Sequence, residues 1–190
     1  MEMIGEQRIA APRYTVWAAL NDPDVLRRSI DGCESLERDG DDGFVAKVVA
    51  RIGPVKASFS GRITFTDVDA PRGYTLIGEG SGVGAGFAKG IAKVSLADEG
   101  GMTRLTYSVQ ADVGGKLAQI GSRLIDSTAR KQADTFFARF ASIVQDGPTG
   151  PGSADATAPR MIRAGPGWAA TVIMIVMALI IGFLAGKIWG

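Results

Sequence analysis

Residues 78–90 read GEGSGVGAGFAKG, and six of these thirteen are glycine. Gly80-Ser81-Gly82-Val83-Gly84-Ala85 satisfies the loose G-x-G-x-x-[GA] pattern of a dinucleotide loop. That loop needs a parallel strand before it and a helix opening directly after it. Here strand patterning continues on both sides, and no helical period begins before about residue 116. The acidic candidates about twenty positions on, Asp98 and Glu99, fall in a turn. The nucleotide reading therefore fails on context. The spacing says something else: glycines 78, 80, 82, 84, 86 and 90 share even parity with Ala88 and Ala92. Odd positions include Glu79, Ser81, Lys89 and Lys93, which favour water. Two neighbouring strands whose inward face is nearly bare fit this period of two.

The flanking sequence supports strands. In ASFSGRITF, Ala57, Phe59, Gly61, Ile63 and Phe65 alternate with polar residues, as do Leu105, Tyr107, Val109, Ala111 and Val113 in MTRLTYSVQADV. FVAKVVARI repeats the pattern, and turn signals at 39–43, 53–54, 70–73 and 98–101 separate the runs. Pro12 and Asn21 or Asp22 with Pro23 open two short helices, the first carrying Val16, Trp17 and Leu20. Residues 116–144 predict one long helix with an apolar stripe from Leu117 through Phe136, Phe137 and Phe140 to Val144. The expected class is α+β: about seven antiparallel strands in one curved sheet, two short helices after the first strand, and a long C-terminal helix gripped by the sheet.

The chain has 190 residues, no histidine and one cysteine, Cys33. This excludes a Ser-His-Asp triad, histidine-ligated or multi-cysteine zinc and haem sites, and an intrachain disulfide. Cys33 lacks a histidine to activate it and reads as a small buried hydrophobe. Residues 1–144 carry eighteen basic and eighteen acidic side chains, with no basic run interleaved with aromatics, which argues against nucleic acid. Residues 145–167 are rich in Pro, Gly, Ala, Ser and Thr and read as a flexible linker. Residues 168–186, WAATVIMIVMALIIGFLAG, contain no charge and would span about 28 Å as a helix, close to a bilayer core. Trp168 and Trp189 at its ends and Lys187 suit the two interfaces, so 168–189 is expected to be a transmembrane tail anchor. The N-terminus lacks the pattern of a signal peptide. The expected arrangement is a single-pass protein of the inner membrane, with domain 1–144 in the cytoplasm.

The bare wall has two uses. Close packing would bring the long helix onto the sheet with Ala118 and Gly121 at the contact. Room would leave a cavity lined by Phe59, Phe65, Leu76, Tyr107, Ile120 and Leu124, with Gly80, Gly82, Gly84 and Gly86 clearing space. Glycine weakens a strand, so either use must offset that cost. Tyr107 is the one tyrosine placed inward here, while Asp126 and Asp134 on the long helix read as solvated.

The stretches APRYTVWAALNDPDVL, GCESLERDGDDGFVAKVVARIGPVKASFSGRITF, GEGSGVGAGFAKGIAKVSL and VGGKLAQIGSRLID run through nearly all of residues 2–144. Together they resemble the CoxG-like family, named for the G subunit of carbon monoxide dehydrogenase, within the START/polyketide-cyclase (SRPBCC) helix-grip superfamily. IGPVKASFSG and GGKLAQIGSRLID are the specific parts; Asp31 stands where that family would have proline before Gly32-Cys33. The resemblance implies an internal apolar cavity and an accessory, non-catalytic role beside a molybdenum hydroxylase of the carbon monoxide dehydrogenase type. With the anchor, this gives the leading expectation: a membrane-tethered adaptor that recruits that enzyme and binds a respiratory quinone or lipid, with no covalent cofactor and no metal. An assembly or maturation factor without ligand transfer, and a cyclase-like enzyme using a cavity tyrosine or carboxylate, remain as alternatives.

Overall fold

The computed structural model describes residues 2–146. The linker after Asp146 and the anchor at 168–189, with Trp168, Lys187 and Trp189, lie outside the described residues. Among those described, no helix is long and apolar enough to cross a membrane.

The chain forms β1 (Glu2–Ile9), α1 (Arg13–Ala19), α2 (Pro23–Ser29), β2 (Cys33–Arg38), β3 (Gly43–Ile52), β4 (Val55–Asp69), β5 (Gly73–Gly82), β6 (Gly86–Asp98) and β7 (Thr103–Gly114). A short 3-10 helix (Gly115–Ile120) then leads into α3 (Ser122–Asp146). All seven strands join one antiparallel sheet in the order β1-β7-β6-β5-β4-β3-β2. Strands β2 to β7 are a simple meander. The chain reaches its far edge by crossing from β1 through α1 and α2. Asp22 caps α2 by accepting hydrogen bonds from the N–H groups of Asp24 and Val25, at 2.8 and 3.2 Å. Pro23 follows at the first helical position, where its missing N–H is no loss.

The core lies between the sheet's inner face and the three helices. Val16, Leu20 and Leu26 are fully buried from the helix side, as are Phe44, Ile63 and Leu105 from the sheet. In the second half of α3, Phe136 meets Phe137 and Phe140 at centroid distances of 5.2 and 5.6 Å. Burying each such ring contributes about 2–3 kcal/mol. Thr103 Oγ1 donates 2.7 Å to the Ala11 carbonyl, tying the β1–α1 connection to the first residue of β7.

The single long helix expected over 116–144 is divided. Gly121, at φ +93°, separates the 3-10 helix from α3. The apolar stripe runs through both pieces because Leu117 and Ile125 are both buried, and the side-chain period does not register the break. The expected packing contact of Gly121 with the sheet is absent: it is exposed, and a Cβ built there would meet nothing within 4 Å. At the other end α3 continues two residues past Val144, to Asp146.

Candidate ligand face and its mouth

The strand register shows where the glycines fall. On the inner face one row runs Ala46–Gly61–Gly80–Ala88–Val113. The next runs Phe44–Ile63–Gly78–Gly90–Ala111, and the third Phe65–Leu76–Ala92–Val109. Across β4, β5 and β6, six adjoining inward positions (61, 78, 80, 88, 90 and 92) therefore carry a hydrogen or a methyl. α3 also becomes small in its middle, where Ala129 and Ala133 are buried before the aromatic run begins. Ala88 and Ala92 are only 2% and 1% exposed, so this face is covered in the folded domain.

The expected lining residues separate into groups. Phe59, Phe65, Leu76 and Tyr107 all point inward and are buried. Phe65 meets Phe44 and Tyr74 edge to face at 6.1 and 5.7 Å. Tyr107 stacks on Phe137 at 5.5 Å, and its ring lies across its cross-strand partner Gly5, where a Cβ would collide with it. The ring of Phe59 likewise lies across its partner Gly82, whose Cβ would strike Cε1 and Cδ1. Gly82 is thus inward, but it makes room for an aromatic ring.

Two glycines leave the wall. Gly84 lies in the β5–β6 turn, exposed, at φ +70° with nothing within 4 Å of a built Cβ. The expected inward parity breaks there because the chain reverses. Gly86, at φ +132°, makes space for the backbone of Gly114 and Gly115 instead of a ligand. Gly80 keeps its expected place. Leu124 is 41% exposed, not inward; its Cδ2 comes within 2.7 Å of a Cβ built on Gly53, and Ile120 Cγ2 within 3.6 Å. Ile120 is half-buried beside it. Tyr74 is the residue that sequence reasoning missed. It is inward, 3% exposed, and 5.5 Å from Trp17 between ring centroids. Its even number matches the inward parity of β5, but its position next to the turn at 70–73 hides it.

These contacts define one end of the domain. The β3–β4 turn at Gly53 touches Ile120 and Leu124, and the Leu117 N–H donates 3.1 Å to the carbonyl of Ala85 in the β5–β6 turn. The 3-10 helix therefore closes the end of the sheet nearest the small-residue rows. Val83, at the tip of the second turn, is fully exposed. The opposite face of the same strands carries two open grooves of about 680 and 880 Å³ that share Arg62, Glu79 and Lys89; their rims are charged, unlike the inner face.

Titratable groups offer little chemistry. Burial pushes the Tyr107 phenol up, the nearby Asp134 carboxylate adds to this, and Arg130 opposes it. A phenol so shifted holds its proton and makes a poor base. Burial also raises the Cys33 thiol, against the pull of Arg27, while Glu34 adds to the rise. Cys33 is half-buried and, as a protonated thiol, a weak nucleophile. Among the described residues no group of three or more Cys, Asp or Glu side chains is placed to hold a metal ion.

A seven-stranded antiparallel sheet wrapped against a long C-terminal helix, with two short helices bridging β1 and β2, defines the helix-grip class of the SRPBCC superfamily. Residues 5–145 match the CoxG family, described as the G subunit of carbon monoxide dehydrogenase, and the chain belongs to that family. A conserved protein from Geobacillus kaustophilus is 32% identical, with a TM-score of 0.73 over 77% of this chain and 96% of its own. A protein from Thermus thermophilus shares the fold at 17% identity and TM-score 0.59, over 78% of this chain and 100% of that one. The Zhui aromatase/cyclase from Streptomyces sp. R1128 shares it at 12% identity and TM-score 0.57, over 76% and 93%. No curated protein matches the chain. The family is named for a component of carbon monoxide dehydrogenase, which points to an accessory role beside that enzyme.

Proposed function

We propose that this protein is a membrane-tethered, non-catalytic accessory that recruits a molybdenum hydroxylase of the carbon monoxide dehydrogenase type. Its helix-grip domain carries an apolar ligand, a respiratory quinone or another isoprenoid or acyl chain, between sheet and α3. The observation that carries the reading is the run of six inward glycine and alanine positions across β4–β6. No core needs six such positions for its own stability, because glycine within a strand costs about 0.5–1 kcal/mol. The physical motive is transfer. A polyprenyl tail is expelled from water, so an enzyme off the bilayer needs an apolar carrier to deliver two electrons and two protons to a quinone. The tether is the uncharged run at 168–186.

Mass spectrometry of organic extracts tests this on the purified full-length chain beside a form ending at Asp146. Quinone or a single lipid class at near-stoichiometric amount is expected from the full-length protein, and release of the truncated form from membranes is expected on fractionation at high salt, which screens attraction between the domain and lipid headgroups. Extracts with no enriched lipid would refute the carrier reading. A truncated form that still sediments with membranes at high salt would refute the tail as the salt-resistant anchor. A second reading, an assembly or maturation factor that carries no ligand, is favoured by the near-complete burial of Ala88 and Ala92. It predicts empty extracts together with loss of active oxidoreductase when the protein is deleted. The cyclase reading has no support beyond shared fold, since Tyr107 is occupied by Phe137 and Gly5.

A further inference from the structure

The two ends of the domain differ in how their charges are balanced. At the end of the β2–β3, β4–β5 and β6–β7 turns, Asp39, Asp69 and Glu99 pair with Arg62, Arg72 and Arg104 at 2.8, 2.8 and 2.9 Å, and Asp41 and Asp42 add two more carboxylates. The mouth end is the reverse. Residues 51–60, 81–90 and 113–125 contain Arg51, Lys56, Lys89, Lys116 and Arg123 and no carboxylate. Lys89 faces Glu79 and Asp112 across the sheet and is compensated. Among the described residues, no carboxylate lies within 4 Å of Arg51, Lys56, Lys116 or Arg123, and all four are exposed. Arg51 and Lys56 are moreover direct cross-strand partners beside the Gly53-Pro54 turn. Like charges directly opposite destabilise a hairpin, and an external anion relieves that repulsion. Val83 and Leu124, both exposed, stand among these cations.

We infer that the mouth end docks on an anionic lipid bilayer, with the four cations at the headgroups and Val83 and Leu124 at the acyl boundary. Cations ringing an apolar tip suit such a surface. Chain length agrees. The 25 residues of α3 run from the mouth to the far end, about 37 Å away, and the tether leaves from there. The 21 residues between Asp146 and Trp168 extend to about 70 Å, enough for the domain to turn its mouth to the membrane. This rests on the proposed tether for its biological setting only, since docking is measured without tail or quinone.

The test uses residues 1–146. This domain folds alone, because 96% of the Geobacillus protein's own chain is matched by it. Co-sedimentation is measured with vesicles of phosphatidylcholine with and without phosphatidylglycerol. The wild type is expected to bind only the anionic vesicles, with affinity falling as salt rises. Each basic residue near such a surface contributes about fivefold, so R51S/K56S/K116S/R123S should lose binding by about 600-fold. R27S/R28S/R130S/K131S changes net charge equally on exposed helix positions away from the mouth and should retain most of it. V83W reports insertion directly, as a blue shift of tryptophan emission on anionic vesicles alone. Equal binding by the mouth variant and wild type, equal loss in the two variants, indifference to lipid charge, or an unshifted V83W spectrum would each overturn the inference. None of these results bears on whether the full-length protein yields a quinone, so the two readings fail separately.

Discussion

Gly82→Ala is the sharpest test of how the bare wall is built. Gly82 has no positive φ, so alanine meets no backbone strain there. The added Cβ would instead enter the ring of Phe59, which is 1% exposed and cannot swing into solvent. Overpacking of this kind costs about 1–3 kcal/mol, offset by about 0.5–1 kcal/mol from restricting glycine in the unfolded chain. A net loss of about 1–2 kcal/mol should lower the melting temperature of the domain by about 3–8 °C. Phe59→Leu alone should destabilise as well, but combined with Gly82→Ala it removes the collision, so the double variant should beat additivity by about 1 kcal/mol. Thermal and urea unfolding of all three measure the cycle. Gly84→Ala is the contrast: nothing crowds it, and φ +70° leaves only the left-handed penalty of about 1–2 kcal/mol, uncoupled to Phe59. An unchanged melting temperature for Gly82→Ala, or strict additivity with Phe59→Leu, would refute the ring-over-glycine account.

Tyr107→Phe should flatten the alkaline limb of stability: a phenol raised above its usual 10.0 favours folding below that pH and loses the contribution as pH climbs through the folded value. Urea midpoints at pH 8 and pH 11 should therefore differ less in the variant than in wild type, and equal differences would argue that the phenol ionises alike in both states. Lys56→Glu turns the Arg51 pair from like to opposite charge, so at low salt it should stabilise the domain by about 0.2–1 kcal/mol while weakening vesicle binding; a variant that loses both would mean Lys56 has a structural partner. Deleting residues 148–158 leaves about ten linker residues, which extend to about 35 Å and fall short of the length of α3. The protein should stay with membranes but extract less lipid, and undiminished lipid content would show that the mouth need not turn to the bilayer.

Much of the fold is legible because a period of two is a backbone property. Ala57 through Phe65 and Leu105 through Val113 face inward as their alternation requires, and the turns fall where Gly, Pro and Asp cluster. The helix boundary is illegible for the converse reason. Leu117 and Ile125 sit eight apart, a helical spacing that survives a 3-10 segment and a glycine joint, so the stripe conceals the change at Gly121. The glycines show the limit most clearly. Parity places Gly78, Gly80 and Gly82 on the inner face correctly, yet it carries on through 84 and 86 because a glycine in a turn and a glycine in a strand have no side chain to tell them apart.

The mouth charge is hidden from composition for a different reason. Eighteen basic and eighteen acidic residues over 1–144 cancel, and the basic residues of the β3–β4 turn lie about sixty positions from those of the 3-10 segment and the start of α3. An antiparallel meander sends alternate turns to opposite ends, so residues distant in sequence gather in space. Asp39 to Asp42, Asp69 and Glu99 gather at one end, while Arg51, Lys56, Lys116 and Arg123 gather at the other with Val83 and Leu124. A neutral domain built this way has no net attraction for an anionic surface at a distance greater than its own length, and a strong one at contact. It therefore selects its orientation on the surface in addition to binding it. The end so selected is the one where the 3-10 helix and the Gly53 turn close over the small-residue rows. The small-residue rows strip side chains from the inner face, and the basic turns decide which end of that face meets the surface.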